Sequence, residues 1–99
     1  MAEREIEWSL RSLKDKIDIF NYWTNRNKST LYAKKLNLLF NEAMALTAIF
    51  PNAGVRTNKR DVKITFVTDF ALVYRVSHSK LEVITVWDTR RNPTKQDEL

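Results

Sequence analysis

The run from Asp61 to Pro93, DVKITFVTDFALVYRVSHSKLEVITVWDTRRNP, confines the fold more than any other part of the chain. Val62, Ile64 and Phe66 alternate with Lys63, Thr65 and Val67, and this β-branched and aromatic content suits a pleated, half-buried surface. Thr68-Asp69 interrupts the apolar run and predicts a tight reversal. Phe70, Leu72, Tyr74 and Val76 then alternate with Ala71, Val73 and Arg75, so both faces of this second strand are apolar and it belongs in the middle of a sheet. Ser77 to Lys80 is short and polar enough for a hairpin loop, and Leu81 to Asp88 gives a third strand. After Trp87 the chain turns polar and presents Arg90 and Arg91.

Upstream, Glu5-Ile6-Glu7-Trp8 alternates polar and apolar residues and predicts a short first strand. From Leu10 the period changes: Leu10, Leu13, Ile17, Phe20 and Trp23 follow at steps of three and four, which predicts one buried helical stripe. Ser9 competes with Ser12, which has Asp15 three residues on, as the helix cap. Thr24 to Lys28 has no apolar residue and reads as a link between helices. Ser29 or Thr30 can cap a second helix with the stripe Leu36, Leu39, Phe40, Ala43, Leu46 or Thr47, and Phe50, ended by Pro51. Neither helix buries its stripe alone, so both are expected on one face of the sheet. The expected architecture is α+β: a strand, an antiparallel two-helix hairpin, then a three-stranded antiparallel sheet. Asn52 to Lys59 is the only long irregular stretch, and residues 90–99 are expected to form a frayed polar tail.

Ninety-nine residues suit a single domain with one core. The absence of cysteine excludes a disulfide scaffold and a thiolate metal site, and the one histidine and scattered carboxylates suggest no metal or cofactor. The N-terminal MAEREIEWSL has charges where a secretory signal needs an apolar core, and no run approaches membrane-spanning length, so a cytoplasmic protein without membrane contact is expected. Seventeen basic against twelve acidic residues leave a net charge of +5, which favours anionic partners.

The motifs in their order resemble the RelE/ParE superfamily, the toxins of bacterial type II toxin-antitoxin modules. Ile6-Glu7-Trp8-Ser9 is similar to that family's first strand and helix start, and Phe50 to Gly54 to its break after the second helix. Phe70 to Val76 resembles its central strand, and Val86 to Pro93 its ending in Arg-Arg-Asp. The resemblance implies a growth inhibitor held inactive by a cognate antitoxin, whose acidic, otherwise disordered segment wraps the toxin. RelE-like members cut messenger RNA on the ribosome, and ParE-like members poison DNA gyrase without hydrolysis. A module that keeps the fold without toxicity, binding protein or nucleic acid, is the alternative from another class.

Cleavage of RNA by its own 2′-hydroxyl needs a proton acceptor, a proton donor for the leaving oxygen and cations on the phosphate. Arg56, Lys59, Arg60, Lys63, Arg90 and Arg91 are the candidates for binding nucleic acid or another target, and Lys63, Arg75, Arg90 and Arg91 are the catalytic candidates. Ala71 stands where RelE-like nucleases carry a phosphate-facing arginine, Thr89 occupies or adjoins another such position, and no Tyr or His follows Trp87. His78 falls in the hairpin loop, at the far end of the third strand from the arginine pair. Trp8, Trp23 and Trp87 can stack on bases or fill the core.

Overall fold

The computed structural model describes residues 4–91. The elements are β1 (Glu5–Trp8), α1 (Leu10–Asn27), α2 (Leu31–Ile49), a 3₁₀ turn (Pro51–Ala53), β2 (Val55–Arg56), β3 (Val62–Val67), β4 (Phe70–Val76) and β5 (Lys80–Asp88). They form one sheet in the order β1-β5-β4-β3-β2. The three antiparallel strands read from the sequence are its centre, and two short edges enlarge it to five: β1 pairs in parallel with β5, and β2 pairs antiparallel with β3. The two-residue β2 lies inside the stretch expected to be irregular. Its residues Val55 and Arg56 pair with Ile64 and Lys63.

β4 occupies the centre, with Phe70 to Tyr74 fully buried. Paired residues share a face, so Phe70, Leu72 and Tyr74 meet Leu81, Val83 and Val86 beneath the helices, where they pack with Ile19, Leu36, Phe40 and Met44. Ala71 and Val73 point the other way and cluster with Val62, Ile64 and Trp87. Trp87 is therefore a core residue rather than a stacking platform, and Ala71 is packed in that second cluster.

Helix α1 starts where Ser9 caps it, accepting the Ser12 amide at 3.0 Å. It runs through the polar segment expected to link the helices and ends only at Lys28, whose left-handed φ of 56° closes the helix as its amide reaches Thr24. The tight Lys28–Thr30 turn suffices to reverse the chain, and there Ser29 Oγ accepts the Leu31 amide at 3.2 Å. The buried face of α1 also differs from the apolar stripe: Leu10, Leu13 and Ile17 are exposed, while Ser12 and Ile19 are buried. Polar residues hold that inner face. The Ser12 hydroxyl donates to the Ser9 carbonyl, and Asp15 accepts from the Thr85 hydroxyl and, at 3.1 Å, from the Val86 amide. β1 covers β5 only as far as Val83, so Asp15 satisfies the strand edge that β1 leaves open. In α2 the stripe holds at Leu36, Phe40 and, of the two alternatives, Thr47, but passes through Met44 and Ala48, leaving Leu46 and Phe50 exposed. Thr47 is tolerated because its hydroxyl donates to the Ala43 carbonyl at 2.7 Å.

Tyr74 fixes the crossing from α2 into β2. Its hydroxyl donates to the Pro51 carbonyl at 2.9 Å. Burial pushes its phenol above the ordinary 10.0, against the opposing pull of the Thr65 side chain and the Gly54 backbone. Since the folded-state value lies above the unfolded one, this contribution to stability is whole below pH 10 and is lost as pH rises through the raised value. Urea titrations between neutral pH and pH 11 should therefore show a steeper alkaline loss for the parent than for Tyr74→Phe; identical slopes would refute the coupling.

Candidate functional site

The cations singled out in the sequence separate into two groups at opposite ends of the central strands. β3 begins and β4 ends at one pole, where Val62 faces Arg75; β3 ends and β4 begins at the other, where Phe70 faces Asp88. Seven residues of β4 put roughly 20 Å between them.

At the first pole Arg56, Lys59, Arg60 and Lys63 line a cavity of about 410 Å³ together with Thr57, Asn58, Asp61 and Val62. The loop that carries them is internally braced. Thr57 Oγ1 donates to the Val62 carbonyl at 2.8 Å and accepts the Lys59 amide at 3.2 Å. Asp61 takes a left-handed φ of 66°, while its carbonyl accepts the Val76 amide at 3.2 Å and so ties the loop to the end of β4. Arg56, Lys59 and Arg60 are exposed and Lys63 is half-buried; none of the four has an ion-pair partner among the described residues. Arg75 stands at the same pole in a different setting. It lies on the face away from the helices, opposite Glu82 in register, and shares a small groove with Glu7, Lys80 and Glu82. There Lys80 bonds Glu7 at 2.8 Å, which raises the lysine's pKa. His78 sits in the exposed hairpin at this pole, remote from Arg90 and Arg91 as the sequence suggests.

The second pole is a clamp. The Arg90 guanidinium contacts both oxygens of Asp88, at 3.2 and 3.4 Å, and Asp69 at 3.3 Å. It lies over the rings of Trp23 and Phe70, 4.9 and 5.7 Å from their centroids. The Asp88 hydrogen bond, with Tyr32 and Asp69 in support, raises the arginine's pKa further above its ordinary value. Thr89 donates both its amide and its hydroxyl to the Asp69 carbonyl, at 2.8 and 2.7 Å, locking the β3–β4 turn to the strand end. Arg91 is exposed and stacks on Tyr22 at 3.9 Å. Arg90 and Arg91 are thus packed, not frayed; residues 92–99 of the expected tail lie outside the described residues. Reasoning from sequence missed the partners Asp69, Asp88, Tyr22, Trp23 and Tyr32. The available signal was the Asp88-Thr89-Arg90 spacing, which lets a carboxylate fold back on an arginine two residues later.

A third feature is apolar. Ala43, Leu46 and Phe50 of α2, Val55 of β2 and Phe66 of β3 border a cavity of about 590 Å³. Because β2 pairs only with Lys63 and Ile64, the outer edge of Thr65 to Val67 is left unpaired by β2.

A family profile, the ParE toxin of the type II toxin-antitoxin system parDE, matches residues 6–93. The chain belongs to the ParE toxin family. Among solved structures, the chromosomal ParDE toxin-antitoxin system from P. aeruginosa aligns with a TM-score of 0.72 at 14% identity, covering 85% of this chain and 94% of that one. The E. coli DinJ–YafQ toxin-antitoxin complex aligns with a TM-score of 0.47 at 16% identity, covering 91% and 97%. No curated protein matches by sequence. The P. aeruginosa likeness, at that identity, establishes the shared fold, and the profile establishes the family. For this ParE-family chain, the two helices followed by the mixed sheet are the α+β RelE-like architecture anticipated from the sequence. No helix among the described residues is long and apolar enough to cross a membrane.

Proposed function

We propose that this chain is the toxin of a type II pair, arresting growth by binding DNA gyrase rather than by cutting messenger RNA, and neutralised by a cognate antitoxin. The observation that carries this reading is where its proton-active side chains are committed. The Tyr74 hydroxyl is buried against the Pro51 carbonyl, Asp69 and Asp88 hold Arg90, and Asp15 holds β5. The Arg56–Lys63 loop combines four cations with one carboxylate, Asp61; Glu7 and Glu82 line the separate groove beside Arg75, and His78 lies in the β4–β5 hairpin. Strand cleavage needs an acid and a base converging on one phosphate; a cationic surface without that pair suits binding. The apolar groove beside the open edge of β3 supports an antitoxin that adds an extended segment there, its side chains alternating between Leu46 and Phe50 on the helix side and Phe66 on the other face.

Inducible expression with and without the antitoxin tests both parts. The lone protein is expected to stop growth and to accumulate cleaved gyrase–DNA complexes while transcripts stay intact by primer extension. Codon-internal cuts in messenger RNA with undamaged DNA would replace the gyrase reading with the nuclease one. Phe66→Glu should leave toxicity in place and weaken rescue by the antitoxin at least tenfold in titrated coexpression; undiminished rescue would place the antitoxin elsewhere.

A further inference from the structure

We infer that the braced loop from Arg56 to Lys63 is a nucleic-acid phosphate site, so that this toxin itself grips a phosphodiester backbone, and that the C-terminal arginines take no part in it. Four cations and a single carboxylate in eight residues leave a net charge of +3, against +5 for the whole chain. Residues 11–42 of the helices carry a further net +4, so the loop is one of two basic stretches in the chain, set apart from the other by its cavity and its bracing. These cations are also available: none is tied to a carboxylate among the described residues, whereas Arg90 is shared between Asp88 and Asp69. Arg91 borders a groove with Asp15, Asp18 and Asp88, where an anion meets three carboxylates.

Shape supports the same ligand. The Thr57 hydrogen bonds and the Asp61–Val76 tie hold the loop before anything binds, which lowers the entropy lost on binding. The cavity lining is polar apart from the buried Val62, so it offers a peptide no exposed apolar anchor. An acidic protein segment would find such anchors in the separate groove at Leu46 and Phe66, whereas a phosphate backbone needs none. Nothing in the loop offers a planar stacking platform or a fixed pair of side chains for a base edge, so binding is expected to be independent of sequence.

The test is fluorescence anisotropy of a short labelled DNA duplex with the full chain at several salt concentrations. Engagement of four phosphates gives a slope of log K against log salt of about −3.6, a loss of roughly 150-fold between about 50 and 200 mM salt. Arg56→Ala, Lys59→Ala and Arg60→Ala together should bring the slope to about −1. Because these side chains are exposed, circular dichroism and the melting temperature should not change. Arg91→Ala should bind as the parent does. Parent-like binding by the triple variant, or loss of binding in Arg91→Ala, would overturn the assignment. So would competition by polyglutamate or inorganic phosphate as strong as that by unlabelled duplex at equal charge. The measurement uses neither gyrase nor cells, so its failure would leave the proposed target untouched, and failure to trap gyrase complexes would leave this site untouched.

Discussion

Gly54→Ala should destabilise the fold by about 3 kcal/mol, lowering the melting temperature by roughly 10–20 °C in a domain of this size. The constraint is steric, since Gly54 has a φ of −75° that any residue adopts. A Cβ built there would stand 2.2 Å from the Tyr74 hydroxyl oxygen and 3.0 Å from the Ile64 carbonyl oxygen. Tyr74 is fully buried at the centre of the sheet, so its ring has no free space to retreat into. The displaced hydroxyl must leave the Pro51 carbonyl, adding a lost buried hydrogen bond to the overpacking. Tyr74→Phe alone should cost about 1–2 kcal/mol through the orphaned acceptor. Combined with Gly54→Ala it should cost less than the sum by about 1 kcal/mol, because the atom in closest conflict is gone. Strict additivity, or a Gly54→Ala variant as stable as the parent in urea, would show that the glycine is not where the chain crosses from α2 into the sheet.

Much of this architecture was legible because period and burial agree along the central strands. β3, β4 and β5 carry alternation that the core uses directly, and Phe70 to Tyr74 are buried on both faces as their composition demands. Where the reading slipped, a hydrogen bond had replaced hydrophobicity. Ser12 and Asp15 occupy the inner face of α1 through bonds to Ser9, Thr85 and Val86, partners supplied by the chain ahead of the helix and by β5. Leu10, Leu13 and Ile17 are displaced outward for that reason, and no periodicity in α1 alone reports it. Of the two edge strands, β1 was legible in the alternation of Glu5 to Trp8, though its parallel pairing with the distant β5 was not. β2 was missed because a two-residue ladder leaves no pattern in the side chains.

The site shows the same division. The local grouping of Arg56, Lys59, Arg60 and Lys63 was legible because one loop carries all four. That Arg90 is held by carboxylates was not, because the predicted reversal at Thr68-Asp69 does not by itself show Asp69 returning to Arg90 or Thr89 locking to the Asp69 carbonyl. A contiguous basic count overstates a binding surface whenever one of its members is neutralised by a distant carboxylate.

Arg90→Ala is expected to cost about 3 kcal/mol, which makes it a folding variant before it is a functional one. Removing the guanidinium leaves Asp88, whose side chain is only 2% exposed, with the backbone amide of residue 90 at 2.9 Å but no counter-charge, and releases Asp69 from the turn. Breaking a fully buried pair costs about 3–5 kcal/mol, but Arg90 is itself 44% exposed, so water relieves part of that and about 2–3 is the appropriate scale. The uncovered face of Trp23 adds about 0.5–1 kcal/mol. Arg91→Ala, which loses only an exposed contact with Tyr22, should cost less than about 1 kcal/mol. Thermal and urea melts of the two variants with Asp88→Asn/Arg90→Ala distinguish a clamp from a spare cation, because the double variant removes the stranded charge and should recover about half of the deficit. Equal stability of Arg90→Ala and Arg91→Ala would mean that the Asp88–Arg90–Asp69 arrangement contributes nothing to the fold. If the difference is found, loss of toxicity in Arg90→Ala reports an unfolded toxin, and only a stable variant such as Arg91→Ala, or the exposed loop at Arg56 to Arg60, tests which end of the sheet meets the target.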